Sequence, residues 1–401
     1  MPIVVFVLAV AVFAQGTSEF MVSGLLERIA DDLGVSLGTA GLLTSLFAAG
    51  MVLGAPAMAV AAGRLPVRHS VAAFLAVFCV THLVGAVTGE FAVLLTTRVV
   101  AAIANAGFLA IVLAALPRLV DPAAVGRATS VVVSGVTVAC IAGVPAGTLL
   151  GQVWGWRAAF WAVAAISGAV VIPVWAMVPR TVRAGDRPTP QGPASVKEWT
   201  VLGTRPVLVA VLVAILVNAA TFAGFTFLGS ITAGLAEPGS RWVPIVLALF
   251  GIGSFVGVTF TGRYSDRHRE RIITLGTSGL VGVWLLAAWT AHTLPGVAIM
   301  ATVSGAIAFG VGSTLIATIV QSAAPAAPRI AGALATTAFN IGAVLGPATA
   351  AVVVDHTGQP AKALWCGAAF TIAAMAVVLP SRRPVALRAA TAAAPAGDPI
   401  E

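Results

Sequence analysis

Residues 3–25 read IVVFVLAVAVFAQGTSEFMVSGL, an apolar run broken by one charge, Glu19. At about 1.5 Å per residue, such a run as a helix crosses the roughly 30 Å of hydrocarbon in a bilayer. Comparable runs recur at 38–62, 70–89, 91–116, 128–152, 158–178, 206–231, 242–262, 271–291, 294–320, 330–354 and 361–380. The sequence therefore predicts about twelve transmembrane helices in an all-α membrane protein. Across all of them, only Glu19 and Arg98 are charged side chains well inside a run. A charge at the bilayer centre costs about 2.5–3.5 kcal/mol on insertion scales. A chain that clears every other charge from its spans and keeps these two is expected to use them, and an ion-coupled membrane carrier is the first expectation.

The composition agrees. Of 401 residues, 59% are hydrophobic and 9% charged, against about 25% charged in a soluble domain. A transmembrane barrel would alternate polar and apolar positions, and these runs do not. The net charge of +8 resides in short loops and includes only two lysines, Lys197 and Lys362; it reads as a topology signal and not as a nucleic-acid surface. Cys79, Cys140 and Cys366 lie in apolar runs, so no disulfide framework is expected. The N-terminus lacks a basic leader region, so the first run is read as a retained span.

With a cytoplasmic N-terminus, 17 of the 22 Lys and Arg fall in inside loops and the tail, and four (Arg28, Arg157, Arg241, Lys362) fall outside. This bias places both termini in the cytoplasm. Residues 179–205 are Pro-rich, polar and basic, a flexible linker between six-span halves 1–178 and 206–380. Residues 381–401 read as a disordered cytoplasmic tail. The Ala- and Arg-rich, Lys-poor usage suits a high-GC bacterium with a single plasma membrane. Trp154, Trp156 and Trp161 are expected to form an interfacial belt with Arg157.

The halves repeat at an offset of about 203 residues. Leu46-Phe47-x-x-Gly50-x-x-x-Gly54 matches Leu249-Phe250-x-x-Gly253-x-x-x-Gly257, and Arg127 and Pro145 match Arg329 and Pro347 at an offset of 202. Repeated halves are a transporter signature. Small residues four apart (Gly50/Gly54, Gly143/Gly147/Gly151, Gly253/Gly257, Gly342/Gly346) permit close helix approach. Their concentration in spans 2, 5, 8 and 11 suggests helices that pack across the halves.

These residues point to a family. Gly262-Arg263-Tyr264-Ser265-Asp266-Arg267 resembles the cytoplasmic loop motif of the major facilitator superfamily. The first-half copy departs from it, with Ala59 and Gly63 in place of the Gly and Asp, leaving Arg64 and Arg68. Leu94-x-x-x-Arg98 is similar to the buried-Arg motif of its twelve-span drug:proton antiporters, and Gly143-Val144-Pro145-Ala146-Gly147 with Gly151 to their antiporter motif, though Val144 stands where that motif has Gly. AVFAQGTSEFMVSGLL (11–26), TAGLLTSLFAAGMVLGAP (39–56), ATSVVVSGVTVACIAGVPAG (128–147) and WGWRAAFW (154–161) resemble actinobacterial chloramphenicol-resistance exporters. The resemblance implies the major facilitator fold, two pseudo-symmetric six-helix halves, and proton-driven export of a small neutral drug. Export of sugars or nucleosides is the alternative. It also implies gating or interface roles for Arg64, Gly143, Pro145, Gly147, Gly262, Asp266 and Arg267.

Glu19 lies eight residues before Glu27, and Arg98 eight after Glu90. Both then sit roughly 12 Å from the outer surface. Equal depth permits pairing, with Glu19 as the proton-coupling carboxylate and Arg98 as its partner; a fixed ion pair joining two helices is the competing reading. Gln15, Asn105, Asn218 and Asn340, with Phe13, Phe222, Phe225 and Phe339, are candidates for a midplane substrate pocket. Phe faces and amides suit a nitrophenyl ring and hydroxyls, although such amides also tie helices together. His82 is read as a packing or lipid-edge residue.

No H-E-x-x-H or G-x-S-x-G motif, and no catalytic cluster within the spans, supports an enzyme. No phosphate-binding loop supports direct ATP drive, and no ring of charges supports a channel. Protons, a small drug and the lipid bilayer are the expected partners. No cofactor beyond the proton gradient, no metal and no nucleic acid are expected, and the chain is expected to be a monomer.

Overall fold

The computed structural model of the chain describes residues 1–62, 66–178, 198, 200–237, 240–327 and 330–381; for 56–62, 265–267, 380 and 381 it describes the backbone alone. Among the described residues, twelve helices are long and apolar enough to span a membrane. They are α1 (Ile3–Gly24), α2 (Leu37–Ala62), α3 (Val67–Val87), α4 (Phe91–Leu119), α5 (Pro122–Trp154), α6 (Trp156–Met177), α7 (Arg205–Ala233), α8 (Trp242–Tyr264), α9 (His268–Thr290), α10 (Leu294–Ala323), α11 (Ala331–Thr357) and α12 (Pro360–Leu379). Twelve spans put both chain ends on one face, called here the terminal face, opposite a far face.

Hydrocarbon offers backbone groups no partner, so each apolar run must satisfy its own amides, and a helix does so locally. The ends are set by special residues. Gly155, at φ 82°, lets α5 turn straight into α6, a conformation open to Gly without penalty. Pro122 starts α5 six residues ahead of the expected 128, because Pro is pre-shaped for a first helical turn. Between α8 and α9, where a loop was expected, the helical backbone continues and breaks at His268 (φ −127°, ψ 24°).

The proposed linker and tail, 179–197, 199 and 382–401, lie outside the described residues; Thr200–Gly203 forms a helical turn that buries Val201. Arg68, expected in a solvated loop, is buried and stacks on Trp175, 3.9 Å from its ring centre.

The small-residue rows work inside each half and not between halves. A Cβ on Gly50 would come 2.7 Å from Ala102 Cβ and from the Val99 carbonyl of α4. On the repeat-related Gly253 and Gly257 it would overlap the carbonyls of Thr302 and Ala306 of α10. Positions 99 and 302 differ by the repeat offset of 203, so the contact itself is repeated. Gly143 faces Thr17 of α1 and Gly151 faces Leu25 just beyond it, and Gly342 and Gly346 face Ile215 and Ala219 of α7. Helices α2 with α11, and α5 with α8, do meet across the halves, but through other residues.

Further contacts between the halves lie toward the far face. Gly41 packs on the Phe227 ring, Gly229 on Ser23 and Gly24, and Gly24 against Leu247. Three hydrogen bonds join the halves there: Asp355 accepts from the Gly38 N–H and the Ser36 hydroxyl, each at 2.8 Å, and Gln152 donates to the Ser240 carbonyl at 3.3 Å. One apolar core runs continuously across both halves, through Met21, Leu25, Leu43 and Phe47 to Phe222, Phe227 and Leu247. Toward the terminal face the first half keeps a separate core, including Val5, Leu8, Leu75, Phe108, Leu116 and Val174, with no second-half residue.

On the far face a short helix, Leu26–Leu33, is tied to α6. Asp32 forms an ion pair with Arg157 and accepts from Trp156 Nε1 at 3.1 Å; Arg157 also donates to the Thr88 carbonyl at 2.9 Å. Trp156 is therefore buried and bonded, not part of a belt, while Trp154 and Trp161 remain exposed.

Two outcomes follow. Replacing Gly257 by Leu overpacks a backbone contact, which costs about 1–3 kcal/mol; the thermal midpoint in detergent falls, whereas Leu at Gly282, which faces open space, leaves it unchanged. The hydrogen bonds from Arg157 and Trp156 hold the Asp32 carboxyl below its ordinary pKa. That stabilisation is present at neutral pH and is lost as pH falls through the lowered value. The midpoint difference between wild type and Asp32→Asn therefore shrinks as the solution is acidified.

Candidate functional site

Helix α1 brings the polar stretch Gln15-Gly16-Thr17-Ser18-Glu19 into the first half. Ser18 is fully buried, and Arg98 of α4 reaches it: Arg98 Nη1 donates to Ser18 Oγ at 2.7 Å. Ser18 Oγ lies 2.6 Å from His82 Nε2 of α3, and His82 Nδ1 lies 2.7 Å from the Phe78 carbonyl. The Arg98 guanidinium stacks over Phe47 of α2, 4.2 Å from the ring centre, a cation–π contact worth about 2 kcal/mol when desolvated. Four helices thus converge on one buried cation.

Glu19 sits one residue on, half-buried, on the side of α1 opposite the exposed Phe6 and Val10. It interacts electrostatically with Arg98 and with Cys140 of α5, yet it makes no ion pair with Arg98 within 4 Å. The two charges share an interior without touching. Arg98 Nε and Nη2 and both amide atoms of Gln15 are buried without a hydrogen-bond partner. Such groups cost about 1–3 kcal/mol each if left unpaired, so this interior holds donors and acceptors that its own side chains leave open. His82, read from sequence as a packing or lipid-edge residue, is not at a lipid edge: it is 2% exposed, packs on Phe78 and Phe160, and is bonded on both ring nitrogens.

Two of the aromatic candidates, Phe222 and Phe225, gather on the other side of α1. Phe20 meets Phe222 and Phe225 of α7 at 5.9 Å between ring centres; Phe225 stacks on Phe250 of α8 at 4.7 Å, and Phe250 meets Phe309 of α10 at 5.9 Å. This row crosses from one half to the other. It is packed shut, with a cleft of only about 20 Å³ beside Phe225, Phe250, Trp284 and Met300. Toward the far face a cavity of about 280 Å³ between the halves includes Glu27, Gln152, Ser230 and Glu237. Burial, with Asp31 adding to it, raises the Glu27 carboxyl above its ordinary pKa.

The amide candidates divide. Asn105, two turns along α4 from Arg98, is buried, and no hydrogen bond ties it. Asn218 donates to the Phe339 carbonyl at 2.6 Å, tying α7 to α11, and Asn340 donates to the Thr336 carbonyl of its own helix at 3.0 Å. Phe339 lies against Gly312 of α10, and Phe13 against Gly143. Gly143, Pro145 and Gly147 surround a π-helical turn, Ala139–Gly143. A Pro at 145 cannot donate to the carbonyl four residues back, and a wider turn accommodates that. Gly262 is exposed. Arg64 lies outside the described residues, as do the side chains of Asp266 and Arg267.

Ser18, Phe47, Phe20 and Phe250 belong to the site and were not singled out for it by sequence. Phe47 and Phe250 carried a signal, since both stand in the repeated Leu-Phe-x-x-Gly motif.

Two six-helix halves around a charged interior define a membrane transporter, and its fold and relatives are those of transporters rather than enzymes. A family model described as Major Facilitator Superfamily matches residues 8–347 and 243–399. A chloramphenicol resistance protein of Streptomyces lividans is 45% identical over 396 residues, 99% of each chain. A chloramphenicol efflux pump of Mycobacterium tuberculosis is 30% identical over 352 residues, 85% of this chain and 83% of its own. The crystal structure of the nucleoside transporter NupG superposes with a TM-score of 0.76 at 11% identity, covering 95% of this chain and 98% of that one. The chain belongs to the Major Facilitator Superfamily.

The hydrogen bonding separates an untied amide, Gln15, from a tied one, Asn218. Gln15→Met removes no internal bond, so the thermal midpoint holds or rises while substrate affinity drops. Asn218→Leu removes an interhelical bond worth about 0.6–2 kcal/mol, and the midpoint falls. Unfolding scans and equilibrium drug binding on the two variants check this.

Proposed function

We propose that this protein exports chloramphenicol or similarly small neutral drugs in exchange for protons, with Glu19 carrying the proton and Arg98 as its charge partner. The observation that carries this reading is the separation of the two charges. Arg98 is held by Ser18 and Phe47, so Glu19 can gain or lose a proton without stripping the guanidinium of every contact. The two relatives named for chloramphenicol support the drug class. The row Phe20–Phe222–Phe225–Phe250 supplies ring faces at the junction of the halves, and Gln15 of α1 and the buried Asn105 of α4 supply amides that no hydrogen bond ties.

The excess of Arg and Lys in the loops of the terminal face supports a cytoplasmic position for that face and both termini, in a bacterial plasma membrane. On that orientation the arrangement seen here is sealed on the outside and has separate cores on the inside. Residues 1–178 and 206–380 would rock as rigid halves, with 179–205 as linker, 381–401 as tail, and the π-turn beside Gly143, Pro145 and Gly147 as the yielding point of α5. Arg64, Gly262, Asp266 and Arg267 would gate the cytoplasmic side. Drug binds from inside as Glu19 releases its proton; the outside opens and the drug leaves. A proton from outside then neutralises Glu19 and the carrier resets. The protein acts as a monomer, with the proton gradient in place of any cofactor.

Flux of radiolabelled chloramphenicol into inverted vesicles tests this. Uptake by the wild type stops when the gradient is collapsed, and Glu19→Gln loses gradient-driven uptake. Uptake that persists in Glu19→Gln moves the coupling site elsewhere. An inactive wild type, verified in the membrane, overturns the drug assignment and directs the search to sugars and nucleosides.

A further inference from the structure

We infer that Ser18 and His82 are positioning residues for proton coupling: together they form a dock that holds Arg98 away from Glu19, and the guanidinium leaves it when Glu19 ionises. The inference rests on the coupling role proposed for Glu19.

The hydrogen-bond directions are forced. A carbonyl only accepts, so the 2.7 Å contact with the Phe78 oxygen puts the proton of His82 on Nδ1. The Thr81 hydroxyl donates to that same carbonyl at 2.8 Å, so the oxygen is a shared acceptor of helical, hydroxyl and imidazole donors. With Nδ1 protonated, Nε2 of a neutral ring is an acceptor, and the Ser18 hydroxyl at 2.6 Å donates to it. The Ser18 oxygen then presents its lone pairs to Arg98 Nη1, which donates at 2.7 Å. The chain runs one way, Arg98 to Ser18 to His82 to the Phe78 carbonyl, and it leaves Ser18 and His82 satisfied. The ring is held in place by Phe78 and Phe160, with centres 4.3 and 5.8 Å away.

A doubly protonated His82 would break this order. Its Nε2 would become a second donor aimed at the Ser18 oxygen, beside the Arg98 cation. The charged group that acts on His82 is Arg98 of α4; Glu19 of α1 and Cys140 of α5 act on each other, and Cys79, on its own helix, is bonded to the Ala164 carbonyl. On α6 the one ionisable side chain is Arg157, engaged by Asp32 at the far end, and α2 has none between Leu37 and Ala62. Arg98 therefore docks against a neutral imidazole.

The dock uses one arm of the guanidinium. Nε and Nη2 have no partner, so an ionised Glu19 has free donors to attract. Arg98 thus has two alternatives: Ser18 while Glu19 is protonated, and the carboxylate once it ionises. The repeat shows that this is not a generic packing device. At the offset of 203, Thr221, Leu285 and Ala301 stand where Ser18, His82 and Arg98 do, and the second half packs without the arrangement.

Removing the dock frees Arg98 for Glu19 and favours the ionised carboxylate, so more acid is needed to load the proton. The test follows the protonated-carboxyl infrared band of Glu19 through a pH titration of the purified full chain, the band being identified by its loss in Glu19→Gln. In Ser18→Ala and His82→Leu the midpoint moves to lower pH by about one unit, a tenfold change in proton affinity. His82→Gln, which keeps an acceptor for Ser18, restores it. A Ser18→Ala midpoint equal to that of wild type, or a wild-type band that does not titrate, overturns the dock. If His82→Leu does not fold, Ser18→Ala decides alone. Failure of the coupling reading is seen separately, as gradient-driven flux that survives Glu19→Gln.

Discussion

The structure depends on keeping one guanidinium content in an apolar bundle. Desolvating a cation costs several kcal/mol unless its donors and its charge are met. Arg98 is met piecemeal, by a serine oxygen on α1 and a ring face on α2, with the Glu19 carboxyl held at a distance. These partners lie on α1 and α2, and His82 of α3 backs Ser18, so the first half is complete only when α1, α2, α3 and α4 converge at this depth. The glycine rows make that approach possible, since Gly50 and Gly54 bring α2 onto the backbone of α4 beside Arg98. Packing and electrostatics are solved at the same place.

The two halves share a frame and divide the chemistry. The repeat preserves the α2–α4 contact as α8–α10, and Phe47 as Phe250. It replaces Glu19 by Phe222 and Arg98 by Ala301. The first half therefore holds the charges and the second supplies aromatic surface, and the two meet along α1, where Ser18 faces Arg98 and Phe20 faces Phe222. A drug bound between them would touch a ring-lined wall on one side and a proton-sensitive wall on the other. Closure toward the far face rests on backbone proximity and on Asp355 at the start of α2, contacts that can separate without unfolding either half.

Much of this was legible in the sequence. Span count and limits followed from hydropathy because in hydrocarbon a backbone has almost no alternative to a helix. Glu19 and Arg98 were legible because charge in a span is rare. Partner choice was not. Equal depth allowed Arg98 to meet Glu19, but Ser18 at the neighbouring position offers an oxygen on the face of α1 turned toward α3 and α4, and a rotation of about 100° per residue separates the two outcomes. The glycine rows were visible, but spacing does not say which neighbour they admit. Asn218 and Gln15 look alike in sequence and differ in the structure, where one is tied to a carbonyl and the other has no partner.

Proton release on drug binding most directly tests the central claim that one carboxyl group, held apart from its cation until it ionises, links drug to proton. Purified protein in weakly buffered detergent solution, mixed with chloramphenicol, should release protons to the medium. Glu19→Gln should bind the drug and release none. Equal release from both would contradict the account.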